Sequence, residues 1–454
     1  MLTVQKIKEI TNALSASADA STIVKGFSIN TRTINRGEAF IAIKGPKFDG
    51  HDFIKEAVDK GAVAVIVSQK TAGFAGVPVI RVRDTTQALG QIAGWHRQRF
   101  DIPVIAITGS TGKTTTKEMV ASVLARKYKV LKNVGTENNQ YGVPLTLLKL
   151  NSSHEIAVLE LGTNQPGDIR WLARITRPTV TIFTNIGESH LERLRSRAGV
   201  FREKSQMINY MDSRGLVIFN ADDPYLRGLA KKRGRRKIIR VGCSSKVAYQ
   251  AVNVCAKNNC GVQFQVNGYR FSLQTPAIHN VYNALSSISC GRAFKIRYND
   301  IVVGLSRFKF RGGRQEIRKM GQMWLINDTY NANPVSFKSA IKTLDALHVR
   351  GRKIIVCADM LELGPQSRKL HESIGREIAQ STANVVVTMG RQARYIAQAL
   401  RRLSSHVIAR HSSDLKDVER QLNRICRPGD AILVKGSRGM HMERVVAYLE
   451  KHFK

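Results

Sequence analysis

Three observations predict an α/β fold in three domains. The chain has 454 residues, strand-length apolar runs alternate with helical stretches, and one strand runs directly into a glycine-rich phosphate loop. That length suggests about three domains of ordinary size, each able to bury a core. The expected spans are 1–83, a small N-terminal α/β domain; 84–313, a central domain that carries the phosphate loop on a mainly parallel sheet; and 314–454, a Rossmann-like domain.

In the first span, Ala39–Lys44, Ala62–Val67 and Val77–Val82 read as strands, and Gly50–Lys60 as an amphipathic helix. The loop Lys44-Gly-Pro-Lys-Phe48-Asp49-Gly50-His51 is polar and glycine-rich with one aromatic, which suits a ligand loop and a bare turn equally. A helix over about 85–99 leads to the second span.

There an apolar run from Ile102 reaches Gly109-Ser110-Thr111-Gly112-Lys113-Thr114-Thr115 and then a helical pattern. Met119, Val120, Val123 and Leu124 form the apolar face of that helix, with Lys117, Glu118, Arg126 and Lys127 opposite. Strand, loop and helix N-terminus make an anion hole in which Lys113 meets the β/γ charge and Thr114 offers a hydroxyl to Mg²⁺. Ile107 stands where the generic pattern has its first glycine, leaving the tighter G-x-x-G-K-T form. The flanking strand and helix separate this reading from a plain glycine turn, so a nucleoside triphosphate is the expected ligand.

Ile156–Gly162, Thr179–Gly187 and Leu216–Pro224 are apolar strands ending in polar residues. Ligands of open parallel sheets sit beyond the carboxyl ends of strands, so Glu160 and His190 should flank the phosphate loop. From about 314 the pattern restarts with Met323–Asp328, Lys353–Ala358, Val385–Met389 and Ala431–Lys435. No G-x-G-x-x-G follows the first of these, which argues against a dinucleotide.

Apolar content of 43% and charged content of 23% are those of a soluble globular protein. No apolar run approaches the roughly 18 residues of a membrane span, so no membrane insertion is expected. The six cysteines are scattered without a C-x-x-C, as reduced cytoplasmic thiols would be. A net charge of +38 invites a nucleic-acid reading, yet only Lys231–Lys237 is dense and no aromatic interleaving accompanies it. A uniformly basic surface is the expectation, with nucleic acid no partner.

Further motifs follow the phosphate loop in order: Asn138-Asn139 with Tyr141-Gly-Val-Pro144, Glu160-Leu-Gly162, Thr184-Asn-Ile-Gly187 with His190-Leu-Glu192, and His279-Asn280 with Asn283-Ala284. Asp328-Thr-Tyr330-Asn-Ala-Asn333-Pro334 and Lys435-Gly-Ser-Arg438-Gly-Met complete the series. Over essentially the whole chain it resembles the Mur ligases, ATP-dependent amino-acid ligases of peptidoglycan precursor synthesis. Tyr330–Ser336, Asp359-Met-Leu-Glu-Leu-Gly364 and Ile43-Lys-Gly45 with Phe48–Phe53 look like the member that joins D-Ala-D-Ala to UDP-MurNAc-tripeptide.

The resemblance implies a monomeric ligase of the bacterial cytoplasm that converts ATP to ADP and phosphate through an acyl phosphate. It makes Lys113, Glu160, His190 and Lys204 the catalytic set. Thr114 and Glu160 would hold one Mg²⁺; His190 and a carbamylated Lys204 would serve a second. Asn280 would read adenine, Tyr330 stack on it, Asp328 accept from ribose and Arg314 meet phosphate. Thr31, Arg32, Lys44, Phe48, Asp49, Gly50 and His51 would hold the UDP end, with Asn138, Asn139 and Asn333 also on substrate. Lys435 and Arg438 would meet the dipeptide carboxylate or a phosphate. Ser205-Gln206 after Lys204, Arg195, and Asn30 before Thr31 depart from the family's usual residues. Two alternatives stay open: a Mur ligase adding a single amino acid, and a basic ATP-switched protein stimulated by nucleic acid.

Overall fold

The computed structural model describes residues 2–16, 20–71, 76–232, 234–257, 259, 261–310 and 312–453. Its N-terminal sheet has five strands in the order Ser15–Ala16, Val79–Arg81, Ala64–Val67, Glu38–Ile41, Gly26–Ser28, parallel except for the first pair. Helix Thr85–Arg97 starts at Asp84, whose side chain accepts the Thr86 and Gln87 N–H groups. Leu89 and Ile92 of this helix pack on Ile66 and Ile80 of the sheet. At its far end buried Arg97 donates to the carbonyls of Thr176, Phe100 and Ile102, fastening the helix to the next domain.

The central sheet comprises β1 (Val104–Thr108), β2 (Val130–Lys132), β3 (Ile156–Glu160), β4 (Val180–Phe183), β5 (Leu216–Asn220), β6 (Lys237–Gly242) and β7 (Tyr249–Gln250). All pair in parallel, in the order β7-β6-β5-β4-β1-β3-β2. Alternate residues feed two cores: Val104, Ala106, Ala157 and Leu159 face one side, Ile105, Ile107, Ile156 and Val158 the other. Both faces are therefore covered, which is why these strands read as continuous apolar runs. The chain leaves β1 with a neighbour on each side, and the crevice beyond its carboxyl end is a topological switch point. Helix α1 (Lys113–Leu124) starts there.

Helices α2 (Arg197–Ser205) and α3 (Asn280–Ala293) complete the parts of this domain that matter below. Between β7 and α3 the expected strand–helix alternation is broken. Val252–Lys257, Gly261–Val266 and Tyr269–Leu273 form a three-stranded antiparallel sheet. Its last turn is Asn267-Gly268, with φ of +48° and +84°, the two-residue geometry that favours hairpins.

The C-terminal sheet contains β8 (Glu316–Met320), β9 (Met323–Asp328), β10 (Lys353–Ala358), β11 (Val385–Met389), β12 (Ile408–Ser412) and β13 (Ala431–Lys435). The order is β8-β9-β13-β10-β11-β12, parallel except for the β8–β9 hairpin. Helix α4 (Pro334–Asp345) follows β9. Among the described residues no helix is long and apolar enough to cross a membrane. Cys243, Cys255, Cys290, Cys357 and Cys426 are free thiols, and Cys260 lies outside the described residues. The helix expected from Gly50 begins as a 3-10 turn, Gly50–Phe53, and is α-helical only over Ile54–Asp59.

Candidate active site

A cavity of about 710 Å³ opens beyond β1, within the range of small-molecule sites. Its floor is the phosphate loop. Gly112 holds φ +77°, and a Cβ there would stand 2.6 Å from the Asn283 side-chain oxygen, so only glycine fits. The segment after β4 fastens the loop in place. Asn185 Oδ1 accepts the Thr111 N–H at 3.0 Å, Thr184 Oγ1 donates to the Thr111 carbonyl at 2.6 Å, and Ser110 Oγ donates to the Gly187 carbonyl at 3.1 Å. Lys113 Nζ donates to the Gly109 carbonyl at 2.9 Å. Burial lowers its pKa and Glu160 opposes that shift. Thr111 and Thr115 line the cavity with Lys113 and Thr114.

Glu160, at the end of β3, is buried, and each carboxylate oxygen has a donor. Thr114 Oγ1 donates to Oε2 and Asn138 Nδ2 to Oε1, both at 2.6 Å. A hydroxyl and a carboxylate meeting at a helix N-terminus make an oxygen-donor set. Among the described residues no group of three or more His, Cys, Asp or Glu could cage a metal. Mg²⁺ fits such a site because it keeps waters and takes phosphate oxygens. The neighbouring Asn139 is outside the cavity lining; its Oδ1 accepts the Tyr141 and Gly142 N–H groups. That side-chain oxygen turns the chain there.

His190 lines the cavity in a left-handed conformation, φ +53°. Its Nδ1 donates across the domain boundary to Glu362 Oε2 at 2.6 Å. Burial pushes the imidazole below its ordinary pKa, with Glu362 pulling upward and Lys204 and Lys113 downward. A neutral ring donating through Nδ1 keeps Nε2 as the lone-pair nitrogen. Lys204, on α2, is 1% exposed and its Nζ has no hydrogen-bond partner among the described residues. Burial, then the charge of Lys113, drives its pKa well down, with Glu203 and Glu160 opposing.

The C-terminal domain supplies the other wall, where Asp328, Tyr330, Asn333, Lys435 and Arg438 line the cavity and several of them already have partners within the chain. Lys435 is not a free cation: it is fully buried, donating to Asp328 Oδ2 at 2.6 Å and to the Asn331 carbonyl at 3.0 Å. Asp328 also accepts the Gln315 N–H at 3.2 Å through Oδ1, leaving only spare lone pairs for a ribose. The Arg314 guanidinium covers one face of Tyr330, 3.6 Å from its ring centroid, and Arg438 stands 6.0 Å away. Asn333 caps α4 in a reciprocal box with Ser336. Asn280 is buried and accepts from Asn283 Nδ2 at 2.8 Å. Next to it, burial brings His279 down to about 4, a neutral ring on the cavity wall.

The N-terminal loop is built as a turn. Asp49 Oδ1 accepts both the His51 N–H, at 3.0 Å, and His51 Nδ1, at 2.6 Å; His51 Nε2 accepts the Ser68 N–H at 3.0 Å. Gly50 is required because a Cβ would meet the Ile43 nitrogen at 2.6 Å. Lys44, Phe48 and Arg32 remain outward, with Phe48 72% exposed, while Thr31 is buried and its carbonyl accepts from Lys60. None of these residues lines the nucleotide cavity. Sequence reasoning missed the working roles of Thr184, Asn185, Asn283 and Glu362. Polar residues just past an apolar strand were the available signal for the first two.

A nucleotide cleft shared by a switch-point sheet and a following Rossmann-like domain is the architecture of an ATP-dependent ligase. Comparison with known proteins makes the class specific. The Mur ligase family catalytic domain profile matches residues 23–97, the middle domain 107–291, and the glutamate ligase domain 313–438. The UDP-N-acetylmuramoyl-tripeptide–D-alanyl-D-alanine ligase of Bacillus subtilis is 35% identical over 98% of this chain and 97% of its own. The Escherichia coli protein of that name is 31% identical, covering 99% of both chains. Crystal structure I of MurF from Acinetobacter baumannii superposes with a TM-score of 0.90 at 29% identity over 99% of this chain and 98% of that one. MurF from Thermotoga maritima in complex with ADP gives 0.85 at 28% identity, covering 95% and 98%. The chain belongs to the Mur ligase family, in its MurF branch.

Proposed function

We propose that this ligase joins the amine of D-Ala-D-Ala to the terminal carboxylate of UDP-MurNAc-tripeptide, in the bacterial cytoplasm and as a monomer. Relatives of this name that match along the full chain support the substrate pair. The observation carrying the reading is that the phosphate loop, Glu160 and His190 line one cleft, with buried Lys204 close enough to Lys113 and Glu160 to feel their charges.

An amide forms from a carboxylate only after its oxygen is made a leaving group. A tripeptide carboxylate oxygen attacks the γ-phosphorus of ATP, the γ-phosphorus bond to the bridging oxygen breaks, and ADP departs. The dipeptide amine then attacks the acyl carbon, phosphate leaves, and the nitrogen loses its proton. Anions meet at every stage, so positioning and fixed positive charge supply most of the catalysis. Lys113 and the loop N–H groups hold the β/γ charge; Thr114 and Glu160 would hold Mg²⁺, which supplies charge neutralisation between the phosphates. His190 Nε2 would serve a second Mg²⁺. Arg438 faces the cleft as the cation for the dipeptide carboxylate, and Arg314 serves phosphate or covers the purine.

An ammonium without partners is costly where Lys204 sits, so its neutral amine is favoured. That amine adds to carbon dioxide, forming an N–C bond and releasing one proton. The resulting carbamate is an anion set against Lys113. In the test, phosphate release is followed with each substrate alone and with both. Release should require both, fall sharply in Lys204→Ala, and return in part with a short-chain carboxylate. Release indifferent to D-Ala-D-Ala, or raised instead by a free amino acid or by nucleic acid, would overturn the reading.

A further inference from the structure

Lys117 was expected on the polar face of α1, yet it is fully buried. Its ammonium has three protons and three acceptors: the Asn133 carbonyl at 2.6 Å, the Gly135 carbonyl at 2.9 Å and Glu118 Oε1 at 3.0 Å. Thr114 lies three positions earlier on the same helix, so the two side chains share a side of α1. The loop that Lys117 grips is tied to the end of β3 by Asn133, which is also fully buried. Asn133 Oδ1 accepts the Glu160 N–H at 2.9 Å, and its Nδ2 donates to the carbonyls of Glu160 at 3.2 Å and Glu137 at 2.8 Å. The same loop ends in Asn138, the donor to Glu160 Oε1.

The Glu160 carboxylate is thus held from two sides. Thr114 of α1 takes one oxygen and Asn138 of the 133–138 loop takes the other, while Lys117 binds helix and loop together. An apolar residue would fill this space without the desolvation cost of a buried ammonium. We propose that Lys117 is a positioning residue that holds the Glu160 carboxylate in place, where with Thr114 it would bind a divalent cation. The inference rests on the metal reading above.

The test measures Mn²⁺ binding by electron paramagnetic resonance, with saturating ADP, in the wild-type chain and in Lys117→Met. Loss of a direct partner of a metal ligand costs about tenfold to a hundredfold in metal affinity, and Lys117 acts on Glu160 one step removed, through the loop that carries Asn138. Lys117→Met should therefore bind Mn²⁺ about tenfold more weakly, while metal-free ADP affinity stays within about twofold. The Mg²⁺ concentration for half-maximal ligation should rise in step, with KM for D-Ala-D-Ala unchanged. A folded Lys117→Met with Mn²⁺ affinity within about twofold of wild type would overturn the proposal. Should that variant not fold, Asn133→Ser takes its place with the same expected loss. Failure of both to fold would also overturn it, assigning Lys117 to architecture alone. Absence of Mn²⁺ binding in the wild-type ADP complex would contradict the metal reading itself, a result separable from both.

Discussion

The phosphate loop and the C-terminal wall of the same cavity use charged side chains in opposite ways. In the loop, backbone shape makes the site: Gly112, the Asn185 bonds and the N-terminus of α1 set the cradle, and Lys113 merely rests on the Gly109 carbonyl. Across the cleft, Lys435 is taken up by Asp328 and Asn333 by its own helix, and Arg314 lies stacked on Tyr330. A loop motif is a backbone conformation and carries its function with it. A set of polar residues at strand ends must first satisfy one another, and only what is left over can meet a ligand.

The contrast is broken most severely by Lys113→Ala, which should lower kcat by on the order of 10³-fold while leaving thermal stability near wild type. A large loss of stability instead would mean that the lysine holds the loop together. Lys435→Met should act the other way. It strands the buried Asp328 carboxylate, a loss of roughly 3–5 kcal/mol of stability, read by Trp324 fluorescence in denaturant. Intact stability with a raised KM for dipeptide would restore Lys435 to the substrate. Arg314→Lys keeps the charge but loses the planar stack; KM for ATP should rise by about fivefold, equivalent to roughly 1 kcal/mol. An unchanged KM would remove the stacked pair from the nucleotide site.

The smallest effect is tested at Asp222, on the cavity wall. Burial raises the Asp222 carboxyl, but hydrogen bonds from Ser244, Ser245, Cys243 and Tyr282 outweigh it and bring the group down to about 2. The unfolded value lies near 3.9, so the folded chain holds the proton more weakly. This stability is present above pH 4 and lost as pH falls toward about 2. Asp222→Asn should melt a few degrees lower at neutral pH, with the gap closing by about pH 2. A gap independent of pH would assign the effect to packing.

Much of this was legible in the chain because parallel strands buried on both faces leave unbroken apolar runs. Met323–Asp328, Lys353–Ala358, Val385–Met389 and Ala431–Lys435 are strands with the expected bounds. Glu160 and His190 flank the phosphate loop because strand ends point there. Residue type misled at Lys117: its charge placed it on the polar face although its spacing to buried Val120 and Leu124 is i, i+3, i+7, and the carbonyls of Asn133 and Gly135 satisfy it there. The hairpin at Asn267-Gly268 carried a turn signal that the expected alternation of strand and helix overrode. The Glu362 contact to His190 joins residues 172 positions apart, a separation at which no local pattern operates.

The central claim is ligation through an acyl phosphate, and isotope transfer tests it most directly. UDP-MurNAc-tripeptide labelled with ¹⁸O in its terminal carboxylate is turned over with ATP, Mg²⁺ and D-Ala-D-Ala, and the released phosphate is analysed by mass spectrometry. One ¹⁸O atom per phosphate is expected, because the oxygen that attacks the γ-phosphorus leaves with it. Unlabelled phosphate released alongside ligated product would contradict the account.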